Sequence, residues 1–239
     1  MKIDLDRYYE HDTPLQDIDL KPVSGSGRYK HLYISDSVIS LDVECTSFFI
    51  NSKNQPILYD KHNKKMLTDP NDPDSKPLPK GCVLYHWQLM IDGNYFTGRT
   101  CKSFKKFLEA FKVSLSNQMI DTAIIYIHNL SYEFQTLLLN VFKEWKPGTV
   151  FARETHKPIY VSPDSKFEFR CSYQLSMLPL AELGKEVGVE KGKDFEYNEL
   201  RTPLTKLTEE EQDYCYKDVL IMDKWLNRMR LKYGHMFEI

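Results

Sequence analysis

A core β-strand that ends in two acids is predicted by the stretch Val38-Ile39-Ser40-Leu41-Asp42-Val43-Glu44. The run is apolar and partly β-branched until Asp42, which is typical of a buried strand whose carboxyl end opens onto a site. Residues i and i+2 of a strand point to one face, so the two carboxylates are expected to lie together. That arrangement is costly unless a cation or hydrogen-bond donors compensate it. Taken alone, the pair also fits a solvated strand end.

Strands and helices alternate after this stretch, which predicts an α/β fold. An Asp92-Gly93 turn favours a tight hairpin, and a capping box of Thr208 and Glu211 opens a long terminal helix. Ser131 is the predicted cap of a helix that runs to about residue 142. The predicted strands cover residues 83–91, 94–98, 122–127, 151–153, 159–161 and 167–171, and the predicted helices cover residues 103–115, 131–142, 180–187 and 208–233.

Two segments are predicted to lie outside the core. Residues 1–34 are mostly polar and contain Ser24-Gly25-Ser26-Gly27, which suits either a flexible leader or an arm laid over the fold. Residues 51–80 carry clustered prolines and are interpreted as a surface insertion. The remaining chain, residues 35–239, is expected to form one domain around this insertion.

Composition limits the class of protein and its partners. The 239 residues are 41% hydrophobic, which is enough for a buried core. The formal net charge is −2, so any polyanion must be met by a local basic face. Five cysteines without a C-x-x-C pair indicate reduced cytosolic thiols. The sequence has no apolar signal region and no stretch long enough for a membrane span, so a cytoplasmic protein without membrane contact is expected.

Two further polar pairs have helical spacing. Asn129 and Glu133, and likewise Tyr214 and Asp218, are one helical turn apart, which places each pair on one helix face. Each pair alone is weak evidence for a functional site, because Glu133 could lie on an exposed helix and Tyr214 could be an ordinary half-buried tyrosine. Their order is more informative: the acids of the first long strand are followed by one pair at a strand-to-helix turn and one on the terminal helix.

This succession resembles the three exonuclease motifs of the family B DNA polymerases, most closely those of the protein-primed polymerases of small phages and linear plasmids. The matching segments are Asp42-Val43-Glu44-Cys45-Thr46, His128-Asn129-Leu130-Ser131-Tyr132-Glu133-Phe134 and Tyr214-Cys215-Tyr216-Lys217-Asp218. Residues 191–197 and 201–208 are also similar to that subgroup, and the similarity spans residues 35–232. The resemblance implies a ribonuclease H-like mixed sheet flanked by helices, in a domain that removes mispaired nucleotides from the 3′ end of a primer.

The resemblance also implies roles for individual side chains. Two Mg²⁺ or Mn²⁺ ions are expected, because oxygen ligands suit these cations and no Cys or His cluster indicates zinc. Their implied ligands are Asp42, Glu44, Asp218 and, through water, Glu133. Tyr214 is expected to orient the attacking water. The implied contacts to a single-stranded DNA 3′ end are Asn129, Tyr132, Tyr197, Ser172 and one of the lysines Lys191 and Lys193.

Two positions depart from the family pattern. Glu133 stands where many relatives have Asp, so its carboxylate reaches one methylene further. Cys45 stands where Thr is frequent, which changes a contact to the terminal nucleotide. His128, beside the second motif, is interpreted as a hydrogen-bonded structural residue and not as a ligand or base.

Polymerase motifs are not found, since the sequence contains neither a D-x-x-S-L-Y-P segment nor a D-T-D triplet. The palm, fingers and thumb are therefore expected outside this chain. Residues 233–239 resemble the stretch that leads into them, which favours the front part of a larger polymerase over a free-standing gene product. The implied partners are the remaining polymerase domains and a terminal protein, and a phage origin would place the protein in the host cytoplasm.

Two other functions stay open from the sequence. One is an exonuclease with the same acids that acts on RNA or short oligonucleotides, because the sequence shows no reader of a 2′-hydroxyl group. The other is a non-catalytic domain that binds single strands or proteins on the same scaffold. The presence of all four acids and Tyr214 argues against the second.

Overall fold

The computed structural model describes residues 4–50, 53–58, 80–142, 148–154, 157–164, 166–192 and 199–239. Most of the predicted insertion lies outside these ranges, as do Tyr197 and Lys193. Within them, nine strands form one mixed sheet and two more form a short pair. The strands are β1 (Tyr8–Glu10), β2 (Pro22–Ser24), β3 (Tyr33–Ser35), β4 (Ile39–Ile50), β5 (Pro56–Leu58), β6 (Lys80–Ile91), β7 (Asn94–Gly98), β8 (Ala123–Ile127), β9 (Thr149–Glu154), β10 (Lys157–Asp164) and β11 (Phe167–Cys171).

The large sheet follows the order β1-β7-β6-β4-β8-β11-β10-β9, and β5 pairs with the far end of β4. At its centre, β8 runs parallel to both β4 and β11. The outer strands are antiparallel to their neighbours, so that β6 pairs with β4 and β10 pairs with β11 in opposite directions. Strands β2 and β3 form the separate pair.

Helices cover both faces of the sheet. They are α1 (Cys101–Asn117), α2 (Leu130–Glu133), α3 (Leu139–Phe142), α4 (Tyr173–Ser176), α5 (Leu180–Val187) and α6 (Glu209–Tyr233), and a π-helical turn, Phe134–Leu138, joins α2 to α3. The predicted mixed sheet flanked by helices is confirmed. In the part of the chain described above, no helix has the length and apolar character that crossing a bilayer demands.

Strand β4 continues beyond the acids where it was predicted to end. Its register pairs Leu41 with Ile127, the last residue of β8, so β8 stops just before Asp42. The pairing with β6 supports β4 along its other edge as far as Phe49. Asp42 and Glu44 therefore lie within β4, at a gap that opens beside it where β8 ends.

The two faces of β4 meet different helices. Leu41 and Val43 belong to the apolar core that also contains the buried phenylalanines of α1. On the other face, the Ser40 hydroxyl donates to the Val219 carbonyl of α6 at 3.1 Å. Because side chains alternate along a strand, the two acids share the face of Ser40 and point toward α6.

The predicted Ser131 cap is wrong. Helix α2 begins at Leu130, and its N-cap is Asn129 in the left-handed conformation, with φ 69° and ψ 55°. Asparagine tolerates this conformation better than most residues that carry a Cβ. The chain therefore turns from β8 into the helix within two residues, which brings Glu133 to the gap beside β4.

Residues 4–34 pack onto the rest of the fold. Strand β1 pairs antiparallel with β7, and Leu15, Ile18 and Leu20 are buried in the same core as α1. The sequence left both a flexible leader and an arm open; in the described residues this segment lies against the fold, where Leu32 and Tyr33 are exposed while Leu15, Ile18 and Leu20 are buried. Their spacing follows neither a helical nor a strand period, so the pattern gave no signal for them.

Arg201 connects the start of α6 to β4. Its Nε donates to Glu211 Oε1 at 2.8 Å, and its backbone N–H donates to the Thr46 hydroxyl at 3.0 Å. That hydroxyl donates in turn to the Arg201 carbonyl at 2.8 Å. Glu211 also closes the predicted capping box with Thr208. The acid-bearing parts of β4 and α6 are thus joined two residues beyond Glu44.

Replacing Arg201 with Met is expected to lower the free energy of unfolding by about 3 kcal/mol, because it leaves a partly buried carboxylate, Glu211, without its guanidinium. Urea denaturation followed by circular dichroism measures the loss. The matched control is Lys217→Met, which removes an ion pair with Asp213 at the more exposed surface of the same helix and is expected to cost less than about 1 kcal/mol. Equal losses in the two variants would contradict a special role for Arg201.

Candidate active site

Three carboxylates from β4 and α6 meet at the gap beside β4. One oxygen from each of Asp42, Glu44 and Asp218 lies within 4.8 Å of the other two. Glu44 and Asp218 are buried, and Asp42 is partly exposed. These three residues form the compact acidic triad of the structure, and such a triad can hold a metal ion.

Glu133 adds a fourth carboxyl group from α2. Its side chain is 3% exposed, and it hydrogen-bonds the carboxyl group of Asp42. It lies outside the compact acidic triad. All four acids line one cleft of about 680 Å³, so the structure brings together the four residues that the resemblance implied as metal ligands.

Three buried oxygens at this cluster have no hydrogen-bond donor among the described residues. They are Glu133 Oε2, Asp218 Oδ1 and Gln88 Oε1. A buried acceptor without a donor is costly, and a hard divalent cation such as Mg²⁺ or Mn²⁺ takes oxygen ligands of this kind. The unsatisfied oxygens of Glu133 and Asp218, together with the other carboxylate oxygens of the compact acidic triad, therefore fit such a cation.

Burial raises the pKa of every acid in the cluster. The pKa of Asp42 rises to about 6 and that of Asp218 to about 7, while the pKa values of Glu44 and Glu133 rise well above the ordinary range. Desolvation is the largest cause in each case, and the charge of Asp42 adds to it at the other three acids. The positive charge of Lys191 opposes the rise at Asp42, Glu44 and Asp218. Either protonation of the acids or a bound cation would therefore reduce the repulsion among these buried carboxylates.

Lys191 and Tyr214 stand beside Asp218. The Lys191 ammonium is 3.7 Å from Asp218 Oδ2 and 5.1 Å from the centroid of the Tyr214 ring. The Tyr214 hydroxyl hydrogen-bonds the Asp218 carboxylate. Gly192 permits this close packing, because a Cβ there would lie 3.1 Å from Tyr214 Cα. Of the two lysines that the sequence left open, Lys191 lies in the cleft, and Lys193 lies outside the described residues.

The other implied nucleotide contacts lie at different depths. Asn129 and Tyr132 line the cleft, and Tyr132 is 38% exposed while its hydroxyl hydrogen-bonds the Cys45 thiol. Ser172 is fully buried and its hydroxyl lies 3.2 Å from His128 Nδ1. The predicted contact between Ser172 and a nucleotide does not fit this position, because the side chain supports His128 from behind the cleft.

His128 forms part of the cleft wall. Burial lowers its pKa to about 4, and the charge of Lys191 contributes to the shift, so the ring is neutral near pH 7. It packs edge-on against the ring of Tyr173 and hydrogen-bonds Ser172. These contacts agree with the structural role expected for His128.

Two features of the site, one wall of the cleft and one residue that contacts its acids, were missed from the sequence. The first is a largely apolar wall made by Tyr173, Pro179 and Leu180, whose place depends on the parallel pairing of β11 with β8. The second is Gln88, which is fully buried on β6 and donates to Asp42 Oδ2 at 2.6 Å. Its sequence signal is a polar residue within an apolar run, and only the register of β4 and β6 shows that it faces Asp42.

Solved structures of phi29 DNA polymerase resemble this chain. The polymerase complexed with primer-template DNA and incoming nucleotide substrates matches with a TM-score of 0.57 at 15% sequence identity, over 84% of this chain and 32% of that chain. The polymerase complexed with single-stranded DNA matches with a TM-score of 0.51 at 16% identity, over 83% of this chain and 32% of that chain. This chain therefore spans about a third of the length of the structures it matches.

The likeness at this low identity establishes the fold. It confirms, at the level of fold, the resemblance stated from the sequence and the ribonuclease H-like architecture that it implied. A scan of protein-family models and a search of curated proteins both found no match.

The metal-free Asp218→Asn variant is expected to become more stable than the wild type as the pH rises through about 7. The pKa of Asp218 is higher in the folded than in the unfolded chain, so its contribution to stability is present below its unfolded pKa and is lost as pH passes the folded value. Melting temperatures in EDTA between about pH 5 and about pH 8 measure the difference between the two proteins. A difference that does not change with pH would contradict the raised pKa of Asp218.

Proposed function

We propose that this chain is a divalent-cation-dependent 3′→5′ exonuclease that acts on single-stranded 3′ ends of DNA. The observation that carries the proposal is the convergence of Asp42, Glu44, Glu133 and Asp218, from β4, α2 and α6, on one cleft. Buried acids without donors are expensive, so their concentration at one place argues for a compensating cation. The cleft volume, about 680 Å³, lies in the range of small-molecule sites and suits a terminal nucleotide.

The four acids divide into two sets of candidate ligands. Asp42, Glu44 and Asp218 would hold one cation, and Glu133 would hold a second together with Asp42, because Glu133 lies beside Asp42 but outside the compact acidic triad. When bound, such cations supply a nucleophilic water and stabilise the departing 3′ oxygen. The protein's own contribution is to hold these carboxylates together, while the positive charge of Lys191 opposes the rise in the pKa of three of them.

Tyr214 and Lys191 act next to Asp218. An unperturbed phenol has a pKa near 10, so the Tyr214 hydroxyl donates a hydrogen bond and orients a water, and it does not remove a proton. The Lys191 ammonium, 3.7 Å from Asp218 Oδ2, provides positive charge where a phosphodiester would approach the acids. It offsets the repulsion between the acidic cluster and a phosphate group.

A frayed single strand would enter this cleft beside Tyr132 and Asn129. The half-exposed Tyr132 ring offers a stacking surface for a base, and the amide of Asn129 stands at the turn between β8 and α2 as a polar contact. The similar polymerase structures include complexes with primer-template DNA and with single-stranded DNA. These features support DNA as the substrate, and the chain is proposed to act beside polymerase domains and a terminal protein.

The Asp42→Asn variant is expected to lose cleavage by about 10³-fold, or about 4 kcal/mol of transition-state stabilisation, because it removes one ligand charge at the centre of the cluster. A 5′-labelled single-stranded DNA incubated with Mg²⁺, Mn²⁺ or EDTA should give a ladder that shortens from the 3′ end with either cation and none with EDTA. A matched RNA strand tests whether the chain cleaves DNA in preference to RNA.

The matched control is Asp223→Asn, which removes another buried carboxylate of α6, one that accepts from the Gly93 backbone at 3.2 Å and lies outside the cleft. It should cleave like the wild type. Laddering that survives in Asp42→Asn would contradict the proposed site. Binding of DNA without cleavage under every metal condition would instead favour the non-catalytic alternative.

The Tyr214→Phe variant is expected to lower kcat by about 10²-fold even at saturating Mn²⁺, since it removes a hydroxyl that positions water. The hydrogen bond to Asp218 is lost as well, so a weaker affinity for Mn²⁺ is expected beside the lower kcat. Single-turnover cleavage at saturating Mn²⁺ and Mn²⁺ titration measure the two effects separately. Tyr216→Phe on the same helix is the control, because that ring packs against Tyr95 and does not line the cleft. Equal loss in both variants would indicate a general effect on α6.

A further inference from the structure

Gln88 is a fully buried amide within the acidic cluster. It lies on β6 directly opposite Asp42, so both side chains point to the same face of the sheet. Its Nε2 donates to Asp42 Oδ2 at 2.6 Å and to Glu44 Oε1 at 3.3 Å. One amide group therefore bridges the two carboxylates of β4.

Charge determines the orientation of this amide. If the group were rotated by 180°, Oε1 would face two carboxylates, and two attractive contacts would become repulsive. With Nε2 toward the acids, Oε1 has no hydrogen-bond donor among the described residues. The amide is thus held by its bonds to Asp42 and Glu44, and not by a partner for its oxygen.

A neutral donor suits this position better than a cationic one. Gln88 donates hydrogen bonds to both Asp42 and Glu44, and it adds no positive charge of its own. A lysine there would neutralise the acids and repel a metal ion. The amide instead aligns two carboxylates, reduces their repulsion and leaves their negative charge available to a cation.

We propose that Gln88 is a positioning residue that holds Asp42 and Glu44 in the arrangement that receives a divalent cation. This inference rests on the proposed function and extends it to β6, a strand that contributes no acid to the cluster. Gln88 acts through the two carboxylates. Groups that hydrogen-bond metal-ligating carboxylates typically change metal affinity by about 10- to 100-fold when they are removed.

The test is direct Mn²⁺ binding to the full chain without DNA, measured by calorimetry. Gln88→Met keeps the length of the side chain and removes the donor, so the Kd for Mn²⁺ is expected to rise by about tenfold. Cleavage should follow the same change: the loss should be large at low Mn²⁺ and should shrink as Mn²⁺ approaches saturation. A purely structural role would not produce this dependence on metal concentration.

Gln118→Met is the matched control. Gln118 also makes two hydrogen bonds through its amide, accepting from the Leu20 backbone at 2.9 Å and donating to the Ile18 carbonyl at 2.8 Å. It lies at the end of α1, away from the cleft. This variant should lower the melting temperature and leave the Kd for Mn²⁺ unchanged.

Gln88→Asn is a second test variant for the case in which Gln88→Met does not fold. It keeps the amide on a shorter side chain that reaches one carboxylate at most, so an intermediate rise in the Kd is expected. A wild type that binds Mn²⁺ together with an unchanged Kd in the Gln88 variants would overturn the inference and leave the proposed function standing. A wild type that neither binds Mn²⁺ nor cleaves DNA would overturn the proposed function itself.

Discussion

Mutual repulsion among four gathered carboxyl groups is the constraint on which the rest of the structure depends. The acids come from β4, α2 and α6, and none can move away from the others unless a packed element moves with it. Strand β4 is held by β6 along its whole acidic stretch, α6 is joined to β4 through Arg201 and Glu211, and α2 follows β8 after the left-handed Asn129. Apolar cores on both faces of the sheet supply the free energy that offsets the buried charge.

The periodic parts of the fold could be predicted from the sequence. Helix α5 and strand β11 have the expected bounds, α1 extends two residues beyond them at each end, and α6 begins at its capping box. These elements carry their own signals: apolar residues at helical spacing, or a Thr208 cap with Glu211. What the sequence lacked was tertiary information. The far end of β4 exists because β6 pairs with it, and Leu15, Ile18 and Leu20 are core residues without any period of their own.

The candidate site was predictable to the extent that it depends on residue types in order along the chain. The four acids and Tyr214 have recognisable spacings, and the resemblance to exonuclease motifs gave them roles. The sequence could not show how deeply each side chain is buried or which residues of neighbouring strands lie opposite each other. Ser172 was expected at the nucleotide and lies behind His128, while Gln88 carried no recognised spacing and yet faces Asp42, because a single step in the β4–β6 register determines which side chain is opposite.

Because the cluster is built from distant segments, a metal ion bound there would be coupled to the fold as a whole. Asp42, Glu133 and Asp218 belong to three elements, so an unfolded chain presents isolated carboxylates that hold a divalent cation weakly. A cation that binds only the folded chain stabilises it in proportion to the logarithm of its concentration over Kd. Burial raises the pKa of Asp42 and Asp218 because their charged forms are costly without a compensating cation, and a bound cation would lower that cost. The stability of the fold and its affinity for a metal ion would then both depend on the repulsion among the same carboxylates. A neutral donor such as Gln88 can therefore influence both without touching the metal.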